Sequence, residues 1–215
     1  MNHRLGFLAF AAIVLSLAAC GGSDGDNDIN QPKVSVDELA AGSYVVSTGS
    51  VDAPTVGKYY AAADGSRLLL LADGSDHAKQ LYRRAAGAPW AAVPAPDKDV
   101  NVMLLRSGAV TAVPLSVAQM AGRYVAQVTT GVTASFTVNA SGDIIAGASA
   151  CKLSGKVSTG TLPNTLKLNL ASTACGTLPA SATGVLAVDA DYAPAAFRLV
   201  ADNGAQVVDL WAYAE

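Results

Sequence analysis

The residues best suited to acid–base chemistry are one histidine and one pair of acids. His77 is the histidine of the predicted folded part, and it ends the run Asp73-Gly74-Ser75-Asp76-His77, which is typical of an exposed turn. A Ser-His-Asp triad would have to use His77, but no nucleophile-elbow glycine pattern surrounds it. Asp189 and Asp191 could act as paired glycosidase acids, although carboxylates at a strand end are more often turn formers. The sequence therefore predicts no catalytic residue, and we expect the protein not to be an enzyme.

One stretch has the spacing of metal ligands. Asp24, Asp26 and Asp28 alternate like the first carboxylates of an EF-hand calcium loop. The sixth position of such a loop needs Gly and the twelfth needs a bidentate Glu, but Ile29 and Ser35 stand there. We therefore predict no metal site and no cofactor, and we interpret the three acids as part of a solvated linker.

Cysteine chemistry gives the strongest signal, and it lies near the amino terminus. Arg4 precedes an apolar run over residues 5–17, which is shorter than the roughly 20 residues that a membrane-spanning helix needs. Leu17-Ala18-Ala19-Cys20 follows this run. The tetrad resembles the lipobox of bacterial lipoprotein (type II) signal peptides, in which a branched apolar residue and two small residues precede a cysteine. Over about its first 22 residues the chain is thus similar to the envelope lipoproteins of Gram-negative bacteria.

This resemblance implies how the amino terminus is processed. Residues 1–19 would be the signal peptide, the Cys20 thiol would carry diacylglycerol, and the new amino terminus would be acylated, for instance with palmitate. Three acyl chains anchor a protein stably without a spanning segment. In this family an Asp after the cysteine usually marks retention at the inner membrane, and Gly21 stands here. The expected location is therefore the outer membrane, with the lipid as the membrane contact.

The two remaining cysteines, Cys151 and Cys175, are expected to form a disulfide. The export signal places them in an oxidising compartment. A redox or zinc role is disfavoured, because the chain has no Cys-x-x-Cys spacing and no histidine near them. Closing the loop between them should stabilise the fold by about 3 kcal/mol.

Charge excludes one class of partner. The chain has 14 Lys and Arg against 17 Asp and Glu, a formal net charge of −3. The basic footprint of a nucleic-acid-binding protein is missing, so no nucleic-acid partner is predicted.

Composition and an internal similarity divide the chain into four parts. These are a signal peptide (1–19), a lipidated cysteine with a Gly/Asp/Asn/Ser-rich flexible linker (20–34), an N-terminal β domain (35–115) and a C-terminal β domain with the disulfide (116–215). Residues 35–45 resemble residues 116–125, and both segments are typical of a short helical turn that leads into a strand at Gly-x-Tyr. The similarity indicates a duplicated β domain, with chance alignment in an Ala-rich chain as the alternative.

The hydrophobic periodicity predicts an all-β fold of two small antiparallel domains. Residues 165–170 alternate strictly, with three leucines on one face. Eight short strands at intervals of roughly 10–12 residues fit a meander barrel or a sandwich in the second half. In the first half, the four leucines at 68–71 indicate a strand covered on both faces, where the two halves touch, with a short helix as the alternative. Residues 100–105 and 109–113 are predicted to form a hairpin, and Lys79, Arg83 and Arg84 a solvated strand edge.

Two functions are compatible with these features. The first is a non-enzymatic interaction or structural module of the cell envelope, whose partner is another envelope protein or a polysaccharide. The second is a carrier of a small apolar ligand, because Gly42-Ser43-Tyr44 and Gly122-Arg123-Tyr124 resemble the Gly-x-Trp motif at the start of lipocalin-like barrels, with Tyr in place of Trp. The sequence nominates no ligand-binding residue.

Overall fold

The computed structural model describes residues 31–215, and these residues form an all-β protein, which confirms the predicted fold class. The sheets are antiparallel apart from one pair of three-residue strands. Within the described residues, no helix is long and apolar enough to cross a membrane. The strands are β1 (Val34–Val36), β2 (Gly42–Gly49), β3 (Pro54–Ala61), β4 (Arg67–Ala72), β5 (Ala78–Arg84), β6 (Ala91–Val93), β7 (Val100–Val102), β8 (Leu104–Val110), β9 (Gly122–Thr129), β10 (Val132–Val138), β11 (Asp143–Ala146), β12 (Lys152–Thr159), β13 (Thr165–Thr173), β14 (Ser181–Ala187), β15 (Phe197–Asp202) and β16 (Val207–Ala214), and two 3-10 helices span Val117–Met120 and Ala190–Tyr192.

The second half is a closed barrel of eight strands. Strands β9 to β16 pair in sequence order, and β16 closes the barrel by pairing with β9. The leucines of β13 point inward while Lys167 and Asn169 between them point outward, as the strict alternation predicts. Phe136, Leu168 and Phe197 are among the side chains that fill the interior, and each is at most 2% exposed. The barrel is thus a packed core, as expected of a small barrel.

The predicted disulfide between Cys151 and Cys175 is confirmed. The first cysteine precedes β12 and the second follows β13, and their Cα atoms are 4.5 Å apart. Both side chains are buried in the barrel core. The bond therefore ties together the ends of two neighbouring strands.

The first half is an open sheet with a similar strand sequence. The order is β6-β5-β4-β3-β2-β8, so that the last long strand returns to pair with the first, as β16 does with β9. Here β6 and β8 do not pair. The parallel pair β1–β7 contributes Val36 and Val102 to the core on one face of the sheet, beside Tyr59, Leu69 and Tyr82.

The two segments that lead into β2 and β9 share a local geometry. The Tyr44 hydroxyl donates to the carbonyl oxygen of Ala40, and the Tyr124 hydroxyl donates to that of Met120, each over 3.1 Å. A Cβ at Gly42 or Gly122 would crowd the ring of the tyrosine two residues ahead, at 3.0–3.3 Å from its atoms. The segments differ upstream, since a 3-10 helix precedes β9 whereas residues 37–41, which lead into β2, form no helix. The predicted helical turn is thus correct for the second segment and wrong for the first.

The sheet packs on the outer face of the barrel. Leu68 and Leu70 of β4 share a buried cluster with Val185 and Val200 of the barrel, while the alternate leucine Leu69 joins the core on the other face of the sheet. The prediction that this leucine run is covered on both faces, where the halves touch, is confirmed. Residues 32–215 accordingly form one compact unit.

Two local predictions in the first half are wrong. The predicted hairpin turn at Ser107-Gly108 lies inside β8, which pairs with β2, while β7 pairs with β1. The supposed strand edge that carries Arg83 and Arg84 is also incorrect, because β5 lies between β4 and β6. Arg83 instead forms an ion pair with Asp202 of the barrel, and Arg84 forms one with Glu38.

Candidate functional site

The residues that the sequence marked for acid–base chemistry gather where the sheet meets the barrel. A cavity of about 700 Å³ opens there, which we call the junction cleft. Its walls are the β4–β5 turn (75–77), the β9–β10 hairpin (127–130), the segment 191–194, and Trp211 and Tyr213 of β16. The volume is in the range of small-molecule sites.

The aromatic wall follows from the pleat of β16. Leu210 and Ala212 point into the barrel core and are at most 2% exposed. Trp211 and Tyr213 therefore point outward, two residues apart on one face of the strand. Tyr213 is 38% exposed, and Trp211 is half-buried. The strand thus presents two aromatic side chains to the cleft.

A buried ion pair supports this wall. The Asp209 carboxylate accepts hydrogen bonds from Nε and Nη2 of Arg198 and from the backbone N–H of Ala78, and each donor–acceptor distance is 2.6 Å. The Arg198 and Asp209 side chains are only 5% and 6% exposed. Burial opposes the charge on Arg198, but the bonds to Asp209 outweigh it and raise the pKa of Arg198 above its ordinary value. Because Arg198 also donates to the carbonyl oxygen of Asp76, the pair joins the barrel to the sheet.

The same arginine holds the tryptophan in place. The Arg198 guanidinium lies 4.7 Å from the centroid of the Trp211 ring, in a cation–π contact. Tyr192 meets that ring edge-on, at 5.2 Å between centroids. The Tyr192 hydroxyl lies 3.0 Å from the Tyr60 hydroxyl in the buried junction, and burial raises the pKa of Tyr60 well above its usual value. Trp211 is therefore held by Arg198 and Tyr192 of the barrel half, and Tyr192 in turn contacts Tyr60 of the sheet.

Asp189 and Asp191 do not form a free acid–base pair. Both carboxylates bind the ammonium group of Lys58 on β3, with Nζ–Oδ2 distances of 2.6 Å to Asp189 and 2.8 Å to Asp191. Asp189 also accepts the backbone N–H of Asp191 at the start of a 3-10 helix, so their interpretation as turn formers is confirmed. Burial opposes the charge on Lys58, but the hydrogen bonds to Asp189 and Asp191 outweigh it and raise the pKa of Lys58. Asp191 is 68% exposed and lines the cleft.

His77 lies in an exposed turn, as predicted. Its side chain is 57% exposed, and Asp73 accepts the backbone N–H groups of Ser75 and His77. The His77 Nδ1 atom is 3.5 Å from Asp209 Oδ2, but that carboxylate is already bound by Arg198. Among the hydrogen bonds of residues 31–215, none joins a serine or threonine hydroxyl to the His77 ring, so no Ser-His-Asp triad is assembled there.

Other predicted sites fall elsewhere. Cys20, Asp24, Asp26 and Asp28 lie outside the described residues. In the part of the chain that the structure describes, no three His, Cys, Asp or Glu side chains are grouped so that they could hold a metal ion.

The aromatic residues of the cleft were not predicted from the sequence. The eight strands predicted for the second half do not single out Trp211 and Tyr213, although two aromatics two residues apart on a strand are a usable signal. Their partners come from segments far apart in the chain, and this arrangement leaves no local pattern.

Comparison with protein-family models, with curated proteins and with solved structures finds no match. The site must therefore be interpreted from its own chemistry. Aromatic rings beside hydroxyl, amide and carboxylate groups suit a ligand that has both apolar faces and hydroxyl groups.

Proposed function

We propose that the protein is a lipid-anchored lipoprotein of the bacterial cell envelope that binds an envelope polysaccharide in the junction cleft and acts without catalysis. The main support for this proposal is that the aromatic side chains of Trp211 and Tyr213 both point outward from β16, beside the polar groups of the cleft. The lipobox at residues 17–20 supports the anchor, and the Gly21 position supports the outer membrane.

The chemistry of a sugar ring fits this lining. A pyranose has an apolar C–H face, which packs on an aromatic ring, and an edge of hydroxyl groups that need hydrogen-bond partners. Side chains two residues apart on a strand are about 7 Å apart. At this spacing, two aromatic side chains can contact two sugar units of one glycan chain. Gln127, Thr129 and Asp191 supply acceptors and donors at the same cleft.

The ion pairs that hold the carboxylates near the cleft favour sugar binding without hydrolysis. Asp189 and Asp191 share one lysine, and Asp209 is bound by Arg198. A glycosidase needs one carboxyl group with a raised pKa that protonates the leaving oxygen. Each of these three carboxylates is instead held in an ion pair with a lysine or an arginine.

The lipocalin-like alternative receives less support. A carrier of that kind needs apolar space inside the barrel. Phe136, Leu168 and Phe197 occupy the interior here, together with the other inward side chains of the eight strands.

Sedimentation with glycan tests the binding proposal. The detergent-purified protein is mixed with insoluble peptidoglycan sacculi or with immobilised O-chain polysaccharide, and bound protein is measured. Tyr213→Ala and Gln127→Ala should each weaken binding about tenfold, a loss of about 1.4 kcal/mol per variant. Leu105→Ala, an exposed position on β8, is the matched control and should bind as the parent does. Equal binding by all variants would contradict the proposal.

The anchor is tested separately by mass. Intact-mass analysis of the membrane-extracted protein should give a chain that begins at Cys20 and carries three acyl groups. Cys20→Ala should remain unprocessed and unlipidated. A chain that retains residues 1–19 in the parent protein would refute the anchor.

A further inference from the structure

A second cavity lies on another side of the contact between sheet and barrel. Its volume is about 410 Å³, and it shares no lining residue with the junction cleft. The walls come from β4 and β5 of the sheet and from β12, β13 and β14 of the barrel. We call it the cationic groove, and the inference drawn from it does not depend on the polysaccharide proposal.

The charges in this groove are of one sign. Four cationic side chains line it, and no Asp or Glu is among its lining residues. The four are Arg67, Arg83, Arg84 and Lys167. Glu38 and Asp202 form salt bridges with three of them, and the Asp64 carboxylate lies close to Arg67 and to the groove residue Thr161, so one positive charge remains in excess. This local excess occurs in a chain whose formal net charge is −3.

Two of the four cations already use most of their hydrogen-bond donors. Arg67 donates to Glu38 and to the carbonyl oxygens of Ala62 and Ser66, and Arg84 donates to Glu38 and to Gly65. These arginines shape the groove and add to its potential. Most of their N–H donors are not free for a ligand.

The other two cations retain donors. Arg83 binds Asp202 through Nε and Nη2, over 2.9 and 3.1 Å, which leaves its Nη1 group without a hydrogen bond among the described residues. The Arg83 side chain is 49% exposed, whereas Asp202 is only 3% exposed, so the buried acid fixes the orientation of an accessible guanidinium. Lys167 is exposed and has no salt bridge within the described part of the chain. Gly160 leaves room for the Lys167 stem, because a Cβ there would lie 3.2 Å from its Cγ.

The rest of the lining is both apolar and hydroxylated. Leu68, Leu162 and Val185 give the groove an apolar surface, and Ser158 and Thr183 add hydroxyl groups. An arginine held by a buried acid, a lysine and hydroxyl donors together match the oxygens of a phosphate group. The apolar surface matches carbon chain attached to it.

We propose that the cationic groove binds a phosphate ester of net negative charge, with Arg83 and Lys167 as the binding residues. This chemistry is shared by the headgroup region of an anionic phospholipid and by soluble phosphate esters. The two sources differ in whether the apolar contacts contribute to affinity.

Titration calorimetry on the detergent-free protein tests the proposal. This protein is the Cys20→Ala chain, exported behind a cleavable secretory signal that replaces residues 1–19. The probes are dihexanoylphosphatidylglycerol below its micelle concentration, glycerol phosphate, and zwitterionic dihexanoylphosphatidylcholine. Tighter binding of the phosphatidylglycerol than of glycerol phosphate supports a lipid, and equal binding of the two supports a soluble phosphate ester. Absence of binding by both, or equal binding of the phosphatidylcholine and the phosphatidylglycerol, would overturn the proposal.

Variants locate the site. Lys167→Gln should weaken binding of the anionic probe about tenfold, and Arg83→Lys should weaken it as well, since it keeps the charge opposite Asp202 but loses the fork. Lys79→Gln is the matched control, because Lys79 is an exposed lysine on the strand of Arg83 that lies outside the groove. Raising the salt concentration should weaken binding to the parent and to Lys79→Gln. An unchanged affinity in Lys167→Gln refutes the assignment, and unchanged denaturation midpoints show that the variants are folded.

Discussion

Loss of the Asp209 carboxylate should destabilise the whole fold. Asp209→Ala would leave the Arg198 guanidinium, which is 5% exposed, without its counter-charge, and the backbone N–H of Ala78 without its acceptor. Arginine does not escape by losing its proton, because its pKa is too high. Breaking a buried ion pair on one side costs about 3–5 kcal/mol.

This cost is large against the total stability of such a protein, which is about 5–15 kcal/mol. With a urea dependence of about 2 kcal/mol per M, the denaturation midpoint should fall by about 2 M. The assay is urea unfolding followed by tryptophan fluorescence and by circular dichroism. Asp52→Ala removes an exposed aspartate from the β2–β3 loop and should change the stability by less than about 0.5 kcal/mol.

A double-mutant cycle separates the ion pair from other effects. If the pair is coupled as its geometry indicates, Arg198→Met combined with Asp209→Ala should be less destabilised than the sum of the two single variants by about 2 kcal/mol or more. Additive losses, or a midpoint for Asp209→Ala within about 0.3 M of the parent, would refute the reasoning.

Three further predictions concern the barrel and the buried junction. Gly142→Ala should lower the free energy of unfolding by about 2 kcal/mol or more, because Gly142 has a φ of +88° and a Cβ there would meet the Val157 carbonyl. Gly204→Ala, with a φ of +89° and open space around it, should lower it by only about 1 kcal/mol. Thermal unfolding measures both, and equal losses would count against the steric argument. Replacing both disulfide cysteines with serine should lower stability by about 3 kcal/mol, since the bond closes a separation of 24 residues; an unaltered urea midpoint would be inconsistent with this. Stability should decline as the pH rises above about 10, because burial keeps Tyr60 protonated in the folded state while the unfolded chain ionises near the ordinary tyrosine pKa of 10.0. The raised pKa of Lys58 adds stability that is fully present below pH 10.5 and is lost as the pH rises through the pKa of Lys58 in the folded state. Urea midpoints at about pH 9 and pH 11 test this, and equal midpoints would contradict it.

The barrel strands were predictable because their patterns are local. The alternation at residues 165–170 and the turn residues 139–142 lie within single segments, so period and turn chemistry define each strand. Strand β8 was mispredicted since Ser107-Gly108 is also typical of a turn, and an edge strand with little burial has no alternation to outweigh that signal. The parallel pair β1–β7 involves strands of three residues, too short to show a period.

The candidate site was predictable only in pieces. His77 and Asp191 could be marked as chemical residue types, but nothing in the sequence shows that they face one cleft with Trp211. That proximity depends on how the sheet docks on the barrel. The docking rests on Leu68 and Leu70, on the hydrogen bond from Arg198 to the Asp76 carbonyl and on that from the Ala78 N–H to Asp209, which are long-range contacts.

The most direct test of the polysaccharide proposal uses tryptophan fluorescence. The chain has two tryptophans, Trp90 and Trp211, so that Trp90→Phe leaves Trp211 as the sole reporter. Titration of this variant with soluble glycan fragments of the bacterial envelope should shift the Trp211 emission in a saturable manner, and adding Tyr213→Ala should weaken the apparent affinity about tenfold. An emission spectrum that no envelope glycan changes, from a protein that circular dichroism shows to be folded, would contradict the account.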